Sequence, residues 1–197
     1  VFERMTAKNI HKEYITLHVG AGTFKPVKAE LMQDHEMHTE WIDVSVESIR
    51  NIAEKLSMII AVGTTSLRTI ETLYWLGIKV YKHPEIQKLE LAQWDVYDEV
   101  LMSNHLTSEE SLNLLADWLD RNHKKRLFTQ TQLLISPGYT FKIAKGLITN
   151  FHQPQSTLLL LIAATMGDKW RDAYDYALKN DFRFLSYGDS SLIFIDQ

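Results

Sequence analysis

The sequence predicts an α/β domain in which a mixed sheet is flanked by helices. Short apolar strand patterns alternate with amphipathic helix patterns along all 197 residues. Two of the apolar strands run directly into a polar turn and then a helix, as in folds that place their sites at strand ends. With 45% hydrophobic and 11% aromatic residues, the chain can bury a substantial core. We therefore expect a single domain over residues 1–197.

Composition argues against several classes of function. The net charge of −4 argues against a uniformly basic nucleic-acid surface, although it leaves room for a local basic patch. The absence of cysteine removes disulfides, thiolate nucleophiles and zinc–thiolate sites, and it fits a reducing compartment. The longest apolar run, residues 158–164, is far too short to span a bilayer, and no signal peptide is visible. Because the chain begins with Val1 inside a helical pattern, we expect a fragment of a longer polypeptide.

The first half of the chain predicts alternating strands and helices. Alternating residues indicate half-buried strands, whereas the continuous apolar run MIIAVG predicts a strand covered on both faces. Gly77 is expected to end the helix that follows this strand. In chain order the elements are the end of a helix at 2–10, strands at 15–20 and 41–46, a helix at 45–56, a strand at 58–63 and a helix from 64 to Trp75.

The second half predicts a capped helix, a hairpin and a buried strand–turn–helix. Thr107 to Glu110 form a capping box that opens a helix to about Asp120. Residues 131–136 and 139–143 predict two strands joined by a Pro-Gly turn. The remaining elements are a strand at 147–148, a buried apolar helix after Pro154, a helix after Asp168 and a last strand at 191–195.

The segment Asp34 to Glu40 combines histidines with carboxylates. On a strand, His38 and Glu40 share one face with Ile42, whereas on a helix His35 and His38 would share a face. The pattern fits a hydrogen-bonded catalytic or substrate-binding cluster. Two alternatives stay open: a metal site, although HExxH is missing, and surface histidines beside an edge strand. We expect no metal.

A second motif, Thr64-Thr65-Ser66-Leu67-Arg68, opens the helix after the apolar strand. Three hydroxyls and an arginine at a helix N-terminus suit a phosphate, a carboxylate or a ribose. The alternative is N-capping by Thr or Ser, with Arg68 solvated. Gly20 and Gly22 add a weak phosphate-loop signal, since the GxGxxG fingerprint is incomplete.

A third motif, residues 147–161, places polar side chains between a core strand and a core helix. Such a turn presents side chains and helix N–H groups at one point, where sites are common. The alternative is an ordinary strand–turn–helix with Ser156 or Gln155 near the cap. The polar residues are Thr149, Asn150, His152, Ser156 and Thr157.

Two charged features have plain structural alternatives. Residues 123–126, His-Lys-Lys-Arg, are the densest basic cluster and indicate either a solvated helix end or a contact to a phosphate backbone. Asp189 follows a Tyr-Gly pair and indicates either a turn former or a placed carboxylate.

Six stretches, in order, resemble the motifs of the S-adenosylmethionine:tRNA ribosyltransferase-isomerase family of queuosine biosynthesis. Six ordered motifs are far more specific than any one of them, and the resemblance covers nearly all of the chain from residue 15. It is weak over residues 78–130, where we expect a divergent, longer segment. The motifs are LHVGAGTFKPV (17–27), DHEMHTE (34–40), AVGTTSLRTIE (61–71), SPGYTF (136–141), LITNFHQPQSTLLLL (147–161) and FLSYGDSSLI (184–193).

The resemblance implies that the chain is the C-terminal half of such an enzyme. The fold would then be the C-terminal part of the family's large α/β domain, lacking the inserted β-barrel domain. Gln153 and Gln155 depart from the family, which usually has an apolar residue and a basic residue at these positions. The missing cation at position 155 weakens the case for a phosphate contact there.

The resemblance also implies a reaction. The ribosyl group of S-adenosylmethionine, a co-substrate, would be transferred to 7-aminomethyl-7-deazaguanine at the tRNA wobble position and isomerised to epoxyqueuosine, with release of adenine and methionine. The sulfonium makes the adjacent 5′ carbon acidic, so a base is required, and the departing adenine needs a proton donor. The tRNA partner would be recognised at its single-stranded anticodon loop, with the target base splayed out.

Site residues follow from the matched motifs. His38 with Glu40, or else His152, is expected to be the general base, and Asp189 to contact the aminomethyl or sulfonium cation. Thr64 to Arg68 are expected to hold ribose or the methionine carboxylate. The expected catalytic set is His18, His38, Glu40, His152 and Asp189. The expected substrate-binding set is Gly20, Gly22, Thr23, His35, Thr64, Thr65, Ser66, Arg68, Asn150, Phe151, Ser156, Thr157 and Tyr187, of which Phe151 and Tyr187 could face the sulfonium or stack on a base.

The enzyme interpretation has two competitors. A fragment of the enzyme could bind S-adenosylmethionine or tRNA without completing catalysis. An unrelated α/β hydrolase using His and Asp lacks support, because no GxSxG elbow is present. We expect a cytoplasmic, monomeric protein without membrane contact.

Overall fold

The computed structural model of the protein describes residues 1–18 and 37–195. Single 3-10 turns lie at Leu56–Met58 and Asp95–Tyr97. Within the described ranges the helices are α1 Phe2–Ala7, α2 Val46–Glu54, α3 Thr64–Lys82, α4 Glu99–Met102, α5 Ser108–Arg121, α6 Thr157–Met166 and α7 Lys169–Lys179. The strands are β1 Thr16–His18, β2 Glu40–Ser45, β3 Ile60–Val62, β4 Arg126–Thr131, β5 Gly146–Asn150 and β6 Ser190–Phe194.

The first sheet is antiparallel and places β2 between β1 and β4. Successive side chains of a strand point to opposite faces. In β2 this buries Glu40, Ile42 and Val44 on the inner face of the sheet. A carboxylate therefore enters the core at the first residue of β2, directly opposite Thr131 of β4.

The second sheet is mixed: β5 runs parallel to β3 and antiparallel to β6. The carbonyl of Ile148 in β5 accepts the Gly63 N–H just after β3, at 2.8 Å. Because the two parallel strands end at the same edge of the sheet, the segments that follow them start side by side. These segments are α3 and the turn that leads to α6.

Helix α3 is buried along most of its length and packs against α5. The two helices are in close contact at Gly77, where an added Cβ would clash with the backbone carbonyl of Ser111. The Ser111 hydroxyl also donates to the Tyr74 carbonyl of α3 at 2.6 Å. The absence of a side chain at position 77 is what allows this contact.

A buried carboxylate organises the segment that leads into β5. Glu71 of α3 accepts the backbone N–H groups of Lys142, Ile143 and Ala144 and the hydroxyl of Tyr139, at 2.8–2.9 Å. Burial raises the pKa of the Glu71 carboxyl, and the four donated hydrogen bonds oppose that shift. All four partners are donors, so the geometry fits the charged carboxylate.

The predicted α/β class with helices around a mixed sheet is confirmed, although the strands form two sheets and only the second is mixed. Helices α2 and α5 begin and end close to the predicted positions, and α7 begins directly after Asp168 as predicted. The predicted capping box is present: Thr107 accepts from the Glu110 N–H, and the Glu110 carboxylate accepts from the Thr107 N–H. The single domain stays a prediction.

The predicted hairpin over residues 131–143 is wrong. Strand β4 occupies Arg126–Thr131, and the Pro-Gly turn does not join two paired strands. Leu133, Leu134 and Ile135 are buried without ladder partners, since this apolar run fills the core. The N–H groups at 142–144, which a second strand would have paired, bond to the Glu71 carboxylate instead.

Two further local predictions are wrong. The strand at 58–63 was expected to be covered on both faces, yet β3 spans three residues and exposes 37% of Ile60 and 68% of Val62. Gly77 does not end its helix, because α3 continues through it to Lys82. A glycine that closes a helix and a glycine that admits a neighbouring helix look alike in a single sequence.

None of the helices in the described part of the chain is both long and apolar enough to cross a membrane.

Replacing Gly77 with alanine tests the close contact between α3 and α5. In an ordinary helix interior this change stabilises a protein by about 1 kcal/mol. Here the added methyl group meets backbone of Ser111, so we expect a net loss of about 2 kcal/mol in the free energy of unfolding, measured by urea denaturation. A Tyr81→Ala variant, at a side chain that is 51% exposed on the same helix, should shift stability little. A more stable Gly77→Ala protein would contradict the packing.

Candidate active site

Three segments that are distant in sequence are connected, in pairs, through α3 and the strand before it. They are the start of β2, the first turn of α3 and the turn after β5, residues 149–157. The last two follow adjacent parallel strands and are joined by the hydrogen bond from Gly63 to Ile148. The first two are joined because Thr65 and Arg68 of α3 both reach Glu40. These segments carry three of the motifs that the sequence singled out.

At the start of β2 lies a cluster of four side chains, here called the Glu40 cluster: His38, Glu40, Thr65 and Arg68. One carboxylate oxygen, Oε2, accepts from Arg68 Nη1 at 2.8 Å. The other, Oε1, lies 3.3 Å from His38 Nε2 and 3.4 Å from the Thr65 hydroxyl. Glu40 thus links a buried cation to an imidazole that is 23% exposed.

The backbone beside His38 is held by amide side chains from two other segments. The Met37 N–H donates to Gln93 Oε1 at 2.8 Å, and Gln132 Nε2 donates to the Met37 carbonyl at 3.3 Å. The Met37 side chain is itself buried. These contacts limit the movement of His38 relative to Glu40.

The ion pair between Arg68 and Glu40 is almost completely removed from water, with 2% and 1% of the two side chains exposed. Burial lowers the pKa of the Arg68 guanidinium, and the Glu40 charge opposes this shift, so the side chain stays cationic. Arg68 Nε donates to the Leu133 carbonyl at 2.9 Å. Its Nη2 is buried and has no hydrogen-bond partner among the described residues.

The first turn of α3 is capped by Gly63, which has a φ of 94° and supplies no side-chain cap. This left-handed backbone conformation is one that glycine adopts without strain. The arrangement differs from hydroxyl capping with a solvated Arg68, the alternative that the sequence left open. Thr65 instead turns its hydroxyl toward Glu40, and Thr64 is buried.

The turn after β5 holds a second histidine. His152 Nε2 lies 3.0 Å from the Thr149 hydroxyl, and its backbone N–H donates to the hydroxyl of Tyr174 in α7 at 3.0 Å. Burial lowers the pKa of His152 to about 4. The imidazole is therefore neutral at neutral pH and can exchange hydrogen bonds without carrying charge.

Several expected binding residues of this turn have structural contacts. Asn150 donates to backbone carbonyls of Gly188 and Asp189. Phe151 is buried among other aromatic rings rather than facing an open site. Ser156 is the N-cap of α6 and accepts from Leu159 N–H, and Thr157 is buried at the first position of that helix. The ordinary capping that the sequence allowed is thus present beside His152.

The other candidates have no hydrogen bond to the Glu40 cluster among the described residues, or lie outside those residues. Asp189 accepts from the backbone and side chain of Arg183, which lowers the pKa of its carboxyl, so it acts as a turn former with a cationic partner of its own. Tyr187 is 97% exposed. His18 lies on the outer face of β1, edge-on to the ring of Phe128 at 5.9 Å between centroids. Gly20, Gly22, Thr23 and His35 lie outside the described residues.

Sequence reasoning missed the residues that support the two histidines. Gln93 and Gln132 hold the backbone beside His38, and Tyr174 holds that of His152. Gln93 lies 56 residues from Met37 along the chain, in a stretch that carried no motif. No local pattern could have identified such long-range partners. Across residues 1–18 and 37–195, no group of three or more potential metal ligands comes together.

The chain is similar in sequence to known proteins over nearly its whole length. The family described as "Queuosine biosynthesis protein" matches residues 1–193. The S-adenosylmethionine:tRNA ribosyltransferase-isomerase of Cupriavidus metallidurans is 36% identical over 197 residues, covering 98% of this chain and 43% of that protein. The protein of the same name from Halothermothrix orenii is 38% identical over 184 residues, covering 91% of this chain and 41% of that protein.

A solved structure shows the same similarity. The crystal structure of S-adenosylmethionine tRNA ribosyltransferase from Thermotoga maritima superposes with a TM-score of 0.59 and 27% sequence identity. The match covers 98% of this chain and 48% of that chain. The chain thus spans less than half the length of the relatives that it matches.

The buried ion pair can be tested by a double-mutant cycle. Arg68→Met and Glu40→Gln each leave a buried group without its charged partner, so each should lower the free energy of unfolding by about 3–5 kcal/mol. The double variant should lose less than the sum of the two, because neither charge then remains. Arg50→Met, which breaks exposed contacts to Asp117 and Asp120, is the matched control and should cost about 1 kcal/mol or less. Equally small losses of stability in the three single variants, Arg68→Met, Glu40→Gln and Arg50→Met, would contradict the burial of the pair.

The partly buried His152 predicts a window of pH-dependent stability. Its pKa is about 4 in the folded protein, against about 6.5 for an unperturbed imidazole, so folding favours the neutral form. The stabilising contribution of the neutral imidazole is complete above about pH 6.5. It is lost as the pH falls from 6.5 toward 4, because in this range the unfolded chain binds a proton that the folded chain does not. Chemical denaturation at a series of pH values should show the stability advantage over His152→Gln shrinking across that window. His105→Gln, at an exposed position, controls for the loss of one imidazole. An advantage that is constant from pH 7 to 4.5 would contradict the burial of His152.

Proposed function

This chain belongs to the family of queuosine biosynthesis proteins, and on that premise we propose that it contributes the base-catalysed part of a ribosyl transfer from S-adenosylmethionine to tRNA. The acceptor would be 7-aminomethyl-7-deazaguanine at the wobble position, and the products epoxyqueuosine-tRNA, adenine and methionine. The proposal is supported by the printed names of the relatives, which specify both S-adenosylmethionine and tRNA. The single structural observation that carries it is the Glu40 cluster.

The chemistry requires a base beside the 5′ carbon of the ribose. The positive sulfur next to this carbon stabilises the charge that develops when a proton is removed, so a neutral imidazole is strong enough to start the reaction. The departing adenine takes up a proton, and the aminomethyl nucleophile attacks in its neutral form. The protein therefore has to hold a base, a proton donor and groups that fix the ribose.

We assign the role of base to His38. Glu40 Oε1 lies beside Nε2 of this histidine, which favours the tautomer with a proton on Nε2 and leaves the lone pair of Nδ1 free to accept a proton. Arg68 fixes the orientation of the carboxylate through its other oxygen. The negative charge of Glu40 then stabilises the imidazolium that forms, as an orienting carboxylate does in hydrolytic triads.

We assign His152 a role other than that of the general base. A pKa of about 4 makes it a weak base, so the structure favours His38 over His152 for proton abstraction. A neutral imidazole held by Thr149 and Tyr174 suits hydrogen bonding to a ribose hydroxyl or to the leaving adenine. The sequence alone had left the choice between the two histidines open.

The first turn of α3 is proposed to hold the methionine carboxylate or the ribose. Its N-cap Gly63 leaves the N–H groups of the first turn without a side-chain cap, and such groups attract anions. The buried charge of Arg68, one turn further along α3, adds a positive field at the same helix end. Thr65 and Ser66, both partly exposed, supply hydroxyls for a ribose.

A second candidate function is favoured by the share of the relatives that the chain covers. Because the chain spans 43% of the relative from Cupriavidus metallidurans, a complete catalytic site could need residues beyond it. The chain would then bind S-adenosylmethionine or tRNA without completing turnover. For the enzyme, the co-substrate would be S-adenosylmethionine, the partner a tRNA anticodon loop and the proposed location the cytoplasm, as suggested by the names of the relatives.

The proposal predicts saturable binding of S-adenosylmethionine and release of adenine. Calorimetric titration of the chain with S-adenosylmethionine should give a saturable heat, and adding an anticodon stem-loop with the aminomethyl base should release adenine, measured by liquid chromatography. His38→Ala should lower adenine release by about 100-fold or more, because the base is lost. The exposed His105→Ala is the matched control and should retain activity.

The outcomes separate the two candidate functions. Binding together with release that depends on His38 supports the enzyme. Binding without release supports the non-catalytic candidate. A folded chain that binds neither S-adenosylmethionine nor the stem-loop contradicts both, and His38→Ala with normal release rejects His38 as the base.

A further inference from the structure

The outer face of the first sheet carries a group of aromatic rings, here called the stacked face: His18, Trp41 and Phe128. The rings of Trp41 and Phe128 lie parallel, with centroids 4.8 Å apart and an interplanar angle of 15°. His18 meets Phe128 edge-on. Trp41 and Phe128 lie on neighbouring strands of this sheet. Trp41 is 40% exposed and Phe128 is 59% exposed. Large aromatic side chains grouped in this way on an exposed sheet face indicate a binding surface.

A groove runs beside the stacked face, and its charges are mainly positive. Trp41 and Phe128 line it together with the cations Lys88, Lys124 and Arg126. Glu90 is the single carboxylate in its lining. Lys88 pairs with Glu90 at 2.7 Å and Arg126 pairs with Asp43, so Lys124 supplies most of the unbalanced positive charge beside the rings.

The cations of the groove are held in place by neighbouring side chains. Lys124 Nζ lies 4.7 Å from the centre of the Trp118 ring. Arg126 Nε pairs with Asp43 at 2.6 Å, and the guanidinium carries further N–H donors on its two terminal nitrogens. Two of the four residues in the basic cluster at 123–126 thus lie beside the aromatic rings rather than at an isolated helix end.

We propose that this groove binds a single strand of RNA, with bases on the stacked face and phosphates against Lys124 and Arg126. Flat aromatic rings bind bases of any sequence by stacking, and nearby cations bind the backbone that connects them. The proposal rests on the proposed function in one respect, namely that the strand belongs to the tRNA substrate. It adds a surface on the opposite face of β2 from the Glu40 cluster.

The composition of the groove favours RNA over an apolar protein segment. The cores of protein interfaces are depleted in charge, whereas three cations, two of them in exposed ion pairs, line this groove together with the rings. The polar His18 and Gln130 lie on the same outer face, next to Trp41 in the strand register. A surface of rings, polar groups and cations complements a polyanion with exposed bases.

The test uses a fluorescein-labelled ten-nucleotide RNA without modified bases, titrated with the chain and followed by fluorescence anisotropy. The paired change Trp41→Leu with Phe128→Leu removes both ring faces but keeps apolar side chains of strand-compatible shape. It should weaken RNA binding at least about tenfold, because each stacked base contributes strongly to affinity. Lys124→Ala should weaken binding severalfold. It should also lower by about one the number of counterions released on binding, which is read from the salt dependence of the affinity. Tyr81→Ala and Lys179→Ala, at exposed positions elsewhere, should change neither.

Several results would overturn the proposal. One is unchanged RNA affinity in the folded double-leucine variant. Another is no RNA binding by the wild-type chain, and a third is binding that depends on Tyr81 as much as on the rings. Self-association of the wild-type chain that is lost in the leucine variant, without RNA binding, would identify a second copy as the occupant instead. Because the probe lacks the aminomethyl base, this test can fail while binding of S-adenosylmethionine succeeds, so the two failures are distinguishable.

Discussion

The buried ion pair between Glu40 and Arg68 is the interaction on which the rest of the arrangement depends. Glu40 begins the central strand of the first sheet, and Arg68 lies near the start of α3, the helix that follows β3 of the second sheet. An unpaired charge in this position would cost several kcal/mol, so the two elements are stable only when they meet in this geometry. The same pairing leaves the other carboxylate oxygen facing His38. A contact that joins the two sheets therefore also orients the proposed base.

Helix α3 carries a second buried charge just after the first. Glu71 follows Arg68 by three residues, which places both on neighbouring turns of one helix. Its carboxylate collects the N–H groups at 142–144, and these residues lead directly into β5 and the turn with His152. One helix thus positions the start of β2 through Arg68 and the approach to β5 through Glu71. The two histidines are set by a common scaffold although they are more than a hundred residues apart.

Strand β2 serves two surfaces because its side chains alternate. Glu40 points into the core and takes part in the proposed chemistry, while Trp41, the next residue, points outward to the stacked face. A tRNA that placed its target base near His38 could lay an adjacent strand across the other side of the same sheet edge. The proposed catalytic and RNA-binding functions are then linked by the geometry of a single strand.

The sequence by itself determined what depends on local pattern. Residue periodicity identified helices α2, α5 and α7, the capping box at Thr107 was recognisable as such, and six ordered motifs indicated the family that the comparison confirms. Tertiary structure decided what depends on distant partners. Arg68 meets Glu40 across 28 residues, Tyr174 meets His152 across 22, and Glu71 meets Ala144 across 73. Such partners decide whether an arginine after a helix N-terminus is solvated or buried. They also decide whether the apolar run after β4 pairs as a hairpin. The physical reason is that a charge or an unpaired N–H is stabilised by whatever group the fold brings within hydrogen-bond distance, and separation along the chain carries no signal of it.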